Sequence, residues 1–241
     1  MGSFNFYEDS RYAEAYSKLE FPGTYYLAYR DLPEIIAQHV IGREAIDFGC
    51  GAGRSTRFLR RLGFDVVGVD ISEEMIQKAR EKDDEGEYLL IADGDFSQFE
   101  QGAYDLVLSA FTFDNVPTMH KKVQLFTGIG QLLKSKGKMV NVVSSPEIYT
   151  YEWVSFSTKD FPENRLARSG DEVRIRNLAI EDERPVVDII MSDEAYQEVY
   201  ARAGLEVVNT YKPLAKENEP FEWVNETTIA PWVIYVLRRA V

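Results

Sequence analysis

Three glycines at alternate positions, Gly49, Gly51 and Gly53, stand between two acidic residues, Asp47 and Asp70. The flanking residues read as a strand before the glycines, a helix after them and a second strand closing on Asp70. Glycine leaves the main chain bare, so a ligand can approach it closely. The N–H groups at the start of the next helix can then receive that ligand. Asp70 lies 17 residues after Gly53. In a βαβ unit this spacing returns a carboxylate to the same turn, where it can accept hydrogen bonds from a ribose diol. The stretch therefore predicts a nucleoside-binding half-site. The dinucleotide pattern G-x-G-x-x-G would need a third glycine where Arg54 or Thr56 stands, so the NAD reading fails on its own motif. No Gly-Lys-Ser/Thr follows, which removes the phosphate loop as well. The chain has two histidines. His39 lies in a helical pattern. His120 opens a helix near the expected ligand crevice and is the candidate general base, without an identifiable partner.

What remains, acidic-x-G-x-G-x-G from Asp47 to Gly53, resembles motif I of the class I S-adenosylmethionine (SAM) methyltransferases. That resemblance implies a Rossmann-like α/β fold with a doubly wound, seven-stranded sheet, mostly parallel, whose last strand is antiparallel. It implies SAM as cofactor, S-adenosylhomocysteine as product and a small-molecule acceptor. On this likeness Asp47 is the acid before the first glycine, and Gly49, Cys50 and Gly51 form the turn around the cofactor. Asp70 takes the ribose, and Ile71 and Met75 pack near the adenine and ribose. The run Asp93-Gly94-Asp95-Phe96-Ser97-Gln98-Phe99 resembles the family's next motif. There Asp93 would accept from the adenine N6 amine and the Gly94 N–H would donate to N1, with Asp95 as the rival acid. Ser97-Gln98 departs from the family's usual Leu-Pro. Ser109 and Phe111 fall in the segment that lines the methyl-transfer cavity. Tyr16 and Arg30 are the candidates for the methionine end, a guanidinium suiting a carboxylate by bidentate pairing.

The acceptor is read less directly. Tyr12, Tyr25, Thr112, Asn115, Tyr149 and Trp153 are the candidate substrate contacts, and polar Asp114 lies among them. The Asp/Asn-Pro-Pro-Tyr/Phe sequence that would suggest exocyclic-amine methylation is absent. An aromatic arm and lid favour a small, partly apolar or cationic acceptor. Two other classes stay open: a SAM-binding protein with a regulatory or different chemical role, and a nucleotide-linked oxidoreductase.

Composition bounds these readings. With 241 residues the chain suits one large α/β domain spanning 1–241. Hydrophobic residues make up 45%, as in a globular protein. A net charge of −13 argues against nucleic acid as partner, because an acidic chain repels phosphate backbones. The single cysteine, Cys50, excludes an internal disulfide and a cysteine metal cluster. No apolar run reaches membrane-spanning length and no signal pattern opens the chain. No membrane partner, no metal and a cytoplasmic location are the expectations.

The elements that position these residues follow from periodicity. Residues 1–42 read as an N-terminal helical cap. Tyr12, Tyr16 and Leu19 share one helical face, Phe21-Pro22-Gly23-Thr24 breaks it, and a second helix is expected from Tyr25 to Val40. Helices are predicted from Arg54 to Leu62, after Ser72, from Thr118 to Leu133, and from Ser192 or Asp193 to Ala203. Strands are predicted at Phe64–Asp70, Glu87–Ala92, Tyr104–Phe111, Lys138–Ser144, Leu205–Tyr211 and Ile229–Arg238. Residues 145–191 exceed an ordinary connection and predict an inserted β-hairpin, read as a lid.

Overall fold

The computed structural model describes residues 10–240, without the side chains of Ser10 and Tyr12. Strand β1 (Glu44–Phe48) pairs in parallel with β2 (Asp65–Asp70) on one side and β4 (Tyr104–Ala110) on the other. Strand β3 (Glu87–Leu90) continues from β2, and β5 (Leu133–Ser144) from β4. The last strand, β10 (Trp232–Arg239), runs antiparallel to β5 and to β9 (Leu205–Tyr211). The sheet order is β3-β2-β1-β4-β5-β10-β9. The order reverses between β1 and β4, and their carboxyl ends open the crevice where such sheets bind ligands. The central strands read as continuous apolar runs because both faces are covered.

One face of the sheet packs against α6 (Met119–Leu132) and α7 (Asp193–Arg202), through Val107, Phe113, Phe126, Val143 and Tyr200. The other packs against α4 (Arg54–Arg61), the N-terminal helices and the inserted segment. Helix α5 (Glu73–Lys82) closes over β2 and β3. Its start is set by Ser72, whose hydroxyl accepts from the Met75 N–H at 3.3 Å, with Glu73 and Glu74 in its first turn. Side-chain caps of this kind hold a helix start by about 1 kcal/mol. Thr118 and Ser192 cap α6 and α7 in the same way.

Three expectations need correction. The predicted second helix is two, α2 (Thr24–Arg30) and α3 (Leu32–His39), preceded by α1 (Ser10–Ser17). Pro33 lies in the first turn of α3; it lacks an N–H and its ring would strike the carbonyl one turn earlier, so the chain restarts there. Strand β5 begins at Leu133, with a register irregularity opposite Tyr104. The insertion is a three-stranded antiparallel sheet, β6 (Phe156–Ser157), β7 (Glu172–Asn177) and β8 (Val186–Ile189), rather than a hairpin alone.

The insertion shares its core with the cap. Ile148, Tyr149, Trp153, Phe156, Val173 and Ile175 pack with Tyr25, Leu27 and Trp232. Glu226, fully buried, ties the same parts together. It accepts from the Thr24 hydroxyl at 2.7 Å, the Val154 N–H at 2.8 Å and the Val224 and Asn225 N–H groups at 2.9 and 3.1 Å.

Candidate functional site

The glycine turn is shaped from within. The N–H groups of Gly49 and Cys50 both donate to the Val69 carbonyl, at 2.8 and 3.0 Å, and that of Gly53 to the Cys50 carbonyl at 3.0 Å. The Gly51 N–H donates to Asp70 Oδ2 at 2.8 Å. These glycines therefore act through the side chains they lack. Gly51 has φ +53°, and a Cβ on it would meet nothing within 4 Å, so the main chain there faces open space. Gly49 has φ +73°, and a Cβ on it would run into Thr112.

Asp70 also accepts the Ser72 N–H, on Oδ1 at 2.9 Å. Its pKa is raised by burial, with the Ser72, Gly51 and Ile71 N–H groups pulling the other way. Ile71, next along, is 47% exposed, an apolar surface at the tip of β2 beside the acid. Asp47 lies beneath the turn, fully buried. Its Oδ2 accepts from the Ser55 and Thr56 hydroxyls at 2.6 and 2.7 Å, at the start of α4, while its Oδ1 has no partner among the described residues. Burial pushes its pKa up to about 6, against those two hydrogen bonds.

Above the turn lies a buried cation. Arg54, the first residue of α4, is 8% exposed. Its guanidinium carbon is 5.0–5.8 Å from the ring centres of Tyr16, Phe21, Tyr25, Tyr29 and Phe111. It donates to the Glu20 carbonyl at 2.5 Å and to the Tyr16 hydroxyl at 3.5 Å. Among the described residues no carboxylate lies in ion-pair range of it. Stacking over ring faces stabilises a guanidinium by about 0.5–2 kcal/mol per contact.

Beyond β4 the chain opens a chamber of about 40 Å³. Its walls are aromatic: Tyr16, Tyr25, Phe111, Phe156 and Trp232. Its polar end is formed by Asp114, Asp188, Asn115, Ser144 and Tyr149, with Asn177 across from them. Phe111 has φ +67° and is the one non-glycine residue with positive φ among those described. Strain of this kind collects at ligand sites. Asp114 accepts the Ser144 hydroxyl at 2.8 Å and the Ser144 N–H at 3.1 and 3.2 Å. Asp188 accepts from Asn115 Nδ2 at 2.6 Å and from the Tyr149 hydroxyl at 3.1 Å. Burial, then the charge of Asp188, pushes the Asp114 pKa up to about 7, and burial raises that of Asp188 to about 6. Lys122 lies behind them, fully buried. Burial lowers its pKa to about 8 against the pull of both acids. Its ammonium donates to the Phe113 carbonyl and forms no ion pair with either carboxylate.

The methyltransferase-domain family profile matches residues 46–141, the segment that carries the glycine turn, Asp70 and β4. Residues 46–141 carry a methyltransferase domain. It is similar to an uncharacterized methyltransferase of Geobacillus sp. strain WCH70, 36% identical over 114 residues, covering 46% of this chain and 52% of that protein. It is also 30% identical over 112 residues to the ubiquinone biosynthesis O-methyltransferase of Nitrosococcus oceani, covering 44% and 46%. The chain spans about half the length of these curated relatives. In fold it is similar to the CcbJ methyltransferase of Streptomyces caelestis, with TM-score 0.68, 21% identity, and 95% and 96% of the two chains covered. A putative SAM-dependent methyltransferase of Listeria monocytogenes gives TM-score 0.63 at 18% identity, with 89% and 97% covered.

The residues of this methyltransferase domain fit the family's cofactor. An orphaned, buried Asp47 oxygen, open main chain at Gly51 and exposed Ile71 beside Asp70 offer an ammonium acceptor, a close approach and an apolar shelf. The structure brings together Tyr16, Tyr25, Phe111, Asn115 and Tyr149 in the chamber. The structure places the other expected residues as follows. Arg30 points away: it is held by Asp31 at 2.7 Å, Glu219 at 2.6 Å and the Leu214 carbonyl at 3.0 Å. Arg54 is the buried guanidinium instead. Cys50 turns its thiol into the core with Ile76, Ala79 and Tyr88. Met75 packs under Ala13 and Ala52. Ser109 is fully buried and takes no part in the chamber; strand alternation turns it toward the α6 face with Val107. The Thr112 hydroxyl donates to the Phe48 carbonyl at 3.1 Å, locking β4 to β1. Trp153 is buried and donates to the Ile148 carbonyl at 2.9 Å. His120 is exposed in the first turn of α6, because the inward stripe runs through Lys122, Phe126 and Ile129. The Tyr12 side chain lies outside the described residues.

At the adenine end, Asp95 Oδ1 accepts the Ser97 N–H at 2.9 Å, as a turn acid does. Asp93 pairs with Lys121 at 2.9 Å and stays largely exposed, and Gly94 has φ +79°. Sequence reasoning missed Arg54, Lys122 and Asp188. A run of aromatics around a lone arginine is visible only after folding. Asp188 is the one polar residue of β8, among Val186, Val187 and Ile189, a weak signal for an inward acid.

Proposed function

We propose that the protein transfers a methyl group from SAM to a small-molecule acceptor seated in the aromatic chamber, by in-line displacement. The observation that carries this reading is the layer formed by Tyr16, Tyr25 and Phe111. These rings stack on Arg54, which opens the helix after the glycine turn, and they also line the chamber. The cofactor turn and the acceptor chamber therefore share one wall.

SAM supplies an activated methyl group on a sulfonium, so the protein need only bind, orient and exclude water. Asp70 would take the ribose diol, with Ile71 as apolar cover. Asp93 and Gly94 would take the adenine edge. The free oxygen of Asp47 and the guanidinium of Arg54 are the opposite charges offered to the methionine ammonium and carboxylate. Residues 145–191, with the described part of the N-terminal helical cap, act as the lid of a single domain, because both contribute walls to the chamber. The chamber is lined mainly by rings and two acids, which suits a small guest and repels a phosphate backbone. Among the described residues no helix is long and apolar enough to cross a membrane.

Calorimetric titration with S-adenosylhomocysteine, followed by incubation of labelled SAM with a fractionated metabolite pool, tests the reading. Binding and label transfer to a small molecule are expected. Binding without transfer would favour a regulatory SAM protein, and NAD binding in its place would favour an oxidoreductase.

A further inference from the structure

Asp114 and Asp188 are buried carboxylates, 4% and 8% exposed. Among the described residues the hydrogen bonds they accept come from neutral groups: Ser144 for Asp114, Asn115 and Tyr149 for Asp188. Isolating a carboxylate from water is costly unless a cation meets it. The nearest buried cation, Lys122, is spent on the Phe113 carbonyl and the Tyr196 ring, 5.9 Å away. Two acids and one lysine leave one negative charge at the polar end of the chamber, and the other buried cation, Arg54, is held among the rings of Tyr16, Tyr25 and Phe111 on the side of the glycine turn. The chamber beside that negative charge is walled by rings of Tyr16, Tyr25, Phe111, Phe156 and Trp232. Ring faces attract cations, and a desolvated cation gains most from them. The volume of about 40 Å³ fits a compact head group, with the rest of the guest toward the mouth.

We propose that the chamber takes an acceptor amine as its ammonium ion, with Asp188 positioning the nitrogen and Asp114 receiving its proton. The inference deepens the methyltransferase reading and rests on it for the transfer step alone.

Asp188 is the positioning acid because both of its oxygens are already fixed, one by Asn115 and one by Tyr149. Asp114 is the proton acceptor because, among the described residues, its Oδ1 accepts only the shared Ser144 N–H at 3.2 Å, which leaves lone-pair capacity. One N–H bond of the ammonium breaks, the proton joins Asp114 Oδ1, and the electron pair stays on nitrogen. That pair forms the new N–C bond while the C–S pair returns to the sulfur. The methylated product is again an ammonium, and Asp114 returns its proton to solvent. An alcohol acceptor would leave the negative charge at the polar end unmet.

The test compares two isosteric probes, hexylamine and hexan-1-ol, titrated by ligand-observed NMR into the full chain saturated with S-adenosylhomocysteine. At pH 7.5 the amine is expected to bind at least about tenfold tighter than the alcohol. Asp114→Asn and Asp188→Asn should each shrink that ratio several-fold while leaving S-adenosylhomocysteine affinity unchanged. Equal affinity of wild type for both probes, or no amine binding with S-adenosylhomocysteine bound, would overturn the proposal. So would an undiminished ratio in both variants. The wild-type comparison decides the matter even if a variant fails to fold. Amine selectivity without S-adenosylhomocysteine binding would sink the methyltransferase reading and leave the ammonium site standing.

Discussion

The N–H of Gly51 points at Asp70 Oδ2, 2.8 Å away, so the acid that closes β2 also fixes the bend of the glycine turn. Asp70→Ala should therefore act twice, removing the proposed ribose acceptor and loosening the turn. Charged hydrogen bonds contribute about 1.5–3 kcal/mol, so calorimetry should show S-adenosylhomocysteine affinity falling by roughly tenfold to a hundredfold. Unchanged affinity would mean that the ribose sits elsewhere.

Gly49→Ala should destabilise the fold even without ligand. The position has φ +73° and its Cβ would collide with Thr112. Positive φ on an L-residue costs of order 1–3 kcal/mol, and the collision adds to it. Thr112→Ala in the same chain should recover part of the lost melting temperature, since Gly49 and Thr112 touch and their effects should not add.

Arg54→Met keeps the bulk but removes the charge. If the guanidinium meets the methionine carboxylate, S-adenosylhomocysteine affinity should drop about tenfold or more. Arg30→Met should leave it unchanged, because Arg30 is bound to Asp31 and Glu219 on another surface. Equal effects of the two variants would refute this assignment.

Stability should peak on the acid side of neutrality. Asp47, Asp114 and Asp188 have pKa values raised to about 6, 7 and 6, so the folded state holds their protons more tightly than the unfolded chain. Their contribution is present at low pH and is lost as pH rises from about 4 to about 7. Asp31, Asp83, Asp182 and Asp193 are shifted downward, and their contribution is lost as pH falls below about 4. The titratable groups facing Asp114 and Asp188 include Lys122, Tyr149, Tyr196, Tyr200 and Tyr16; the tyrosines are all raised by burial and stay protonated in this window, and Lys122 releases its proton only near pH 8. Scanning calorimetry of the ligand-free protein should find the highest melting temperature around pH 5. A curve still rising from pH 5 to 7.5 would contradict the buried-acid assignment.

Glu226→Ala should unfasten the insertion from the cap. Four donors would lose a buried acceptor. A buried donor left without its partner costs about 1–3 kcal/mol. A lower melting temperature with faster proteolysis within residues 145–191 is expected.

The local code fixed much of this protein. The Asp47–Gly53 turn, the Asp70 spacing and the alternation of strands and helices are nearest-neighbour signals, and they determined the sheet, the turn and the cofactor class. Caps such as Ser72 also work within a few residues and were legible for that reason. The acceptor chamber was not. Asp114, Lys122 and Asp188 belong to three separate segments, and Tyr25, Phe111, Phe156 and Trp232 to four. Their meeting depends on long-range packing of cap, sheet and insertion, which periodicity does not encode. The same holds for arginine: a charged residue reads as surface until its neighbours are known, so Arg30 and Arg54 were indistinguishable in type. Only the tertiary structure, by placing five rings around one of them and two carboxylates around the other, decided which guanidinium stays buried beside the ligand turn.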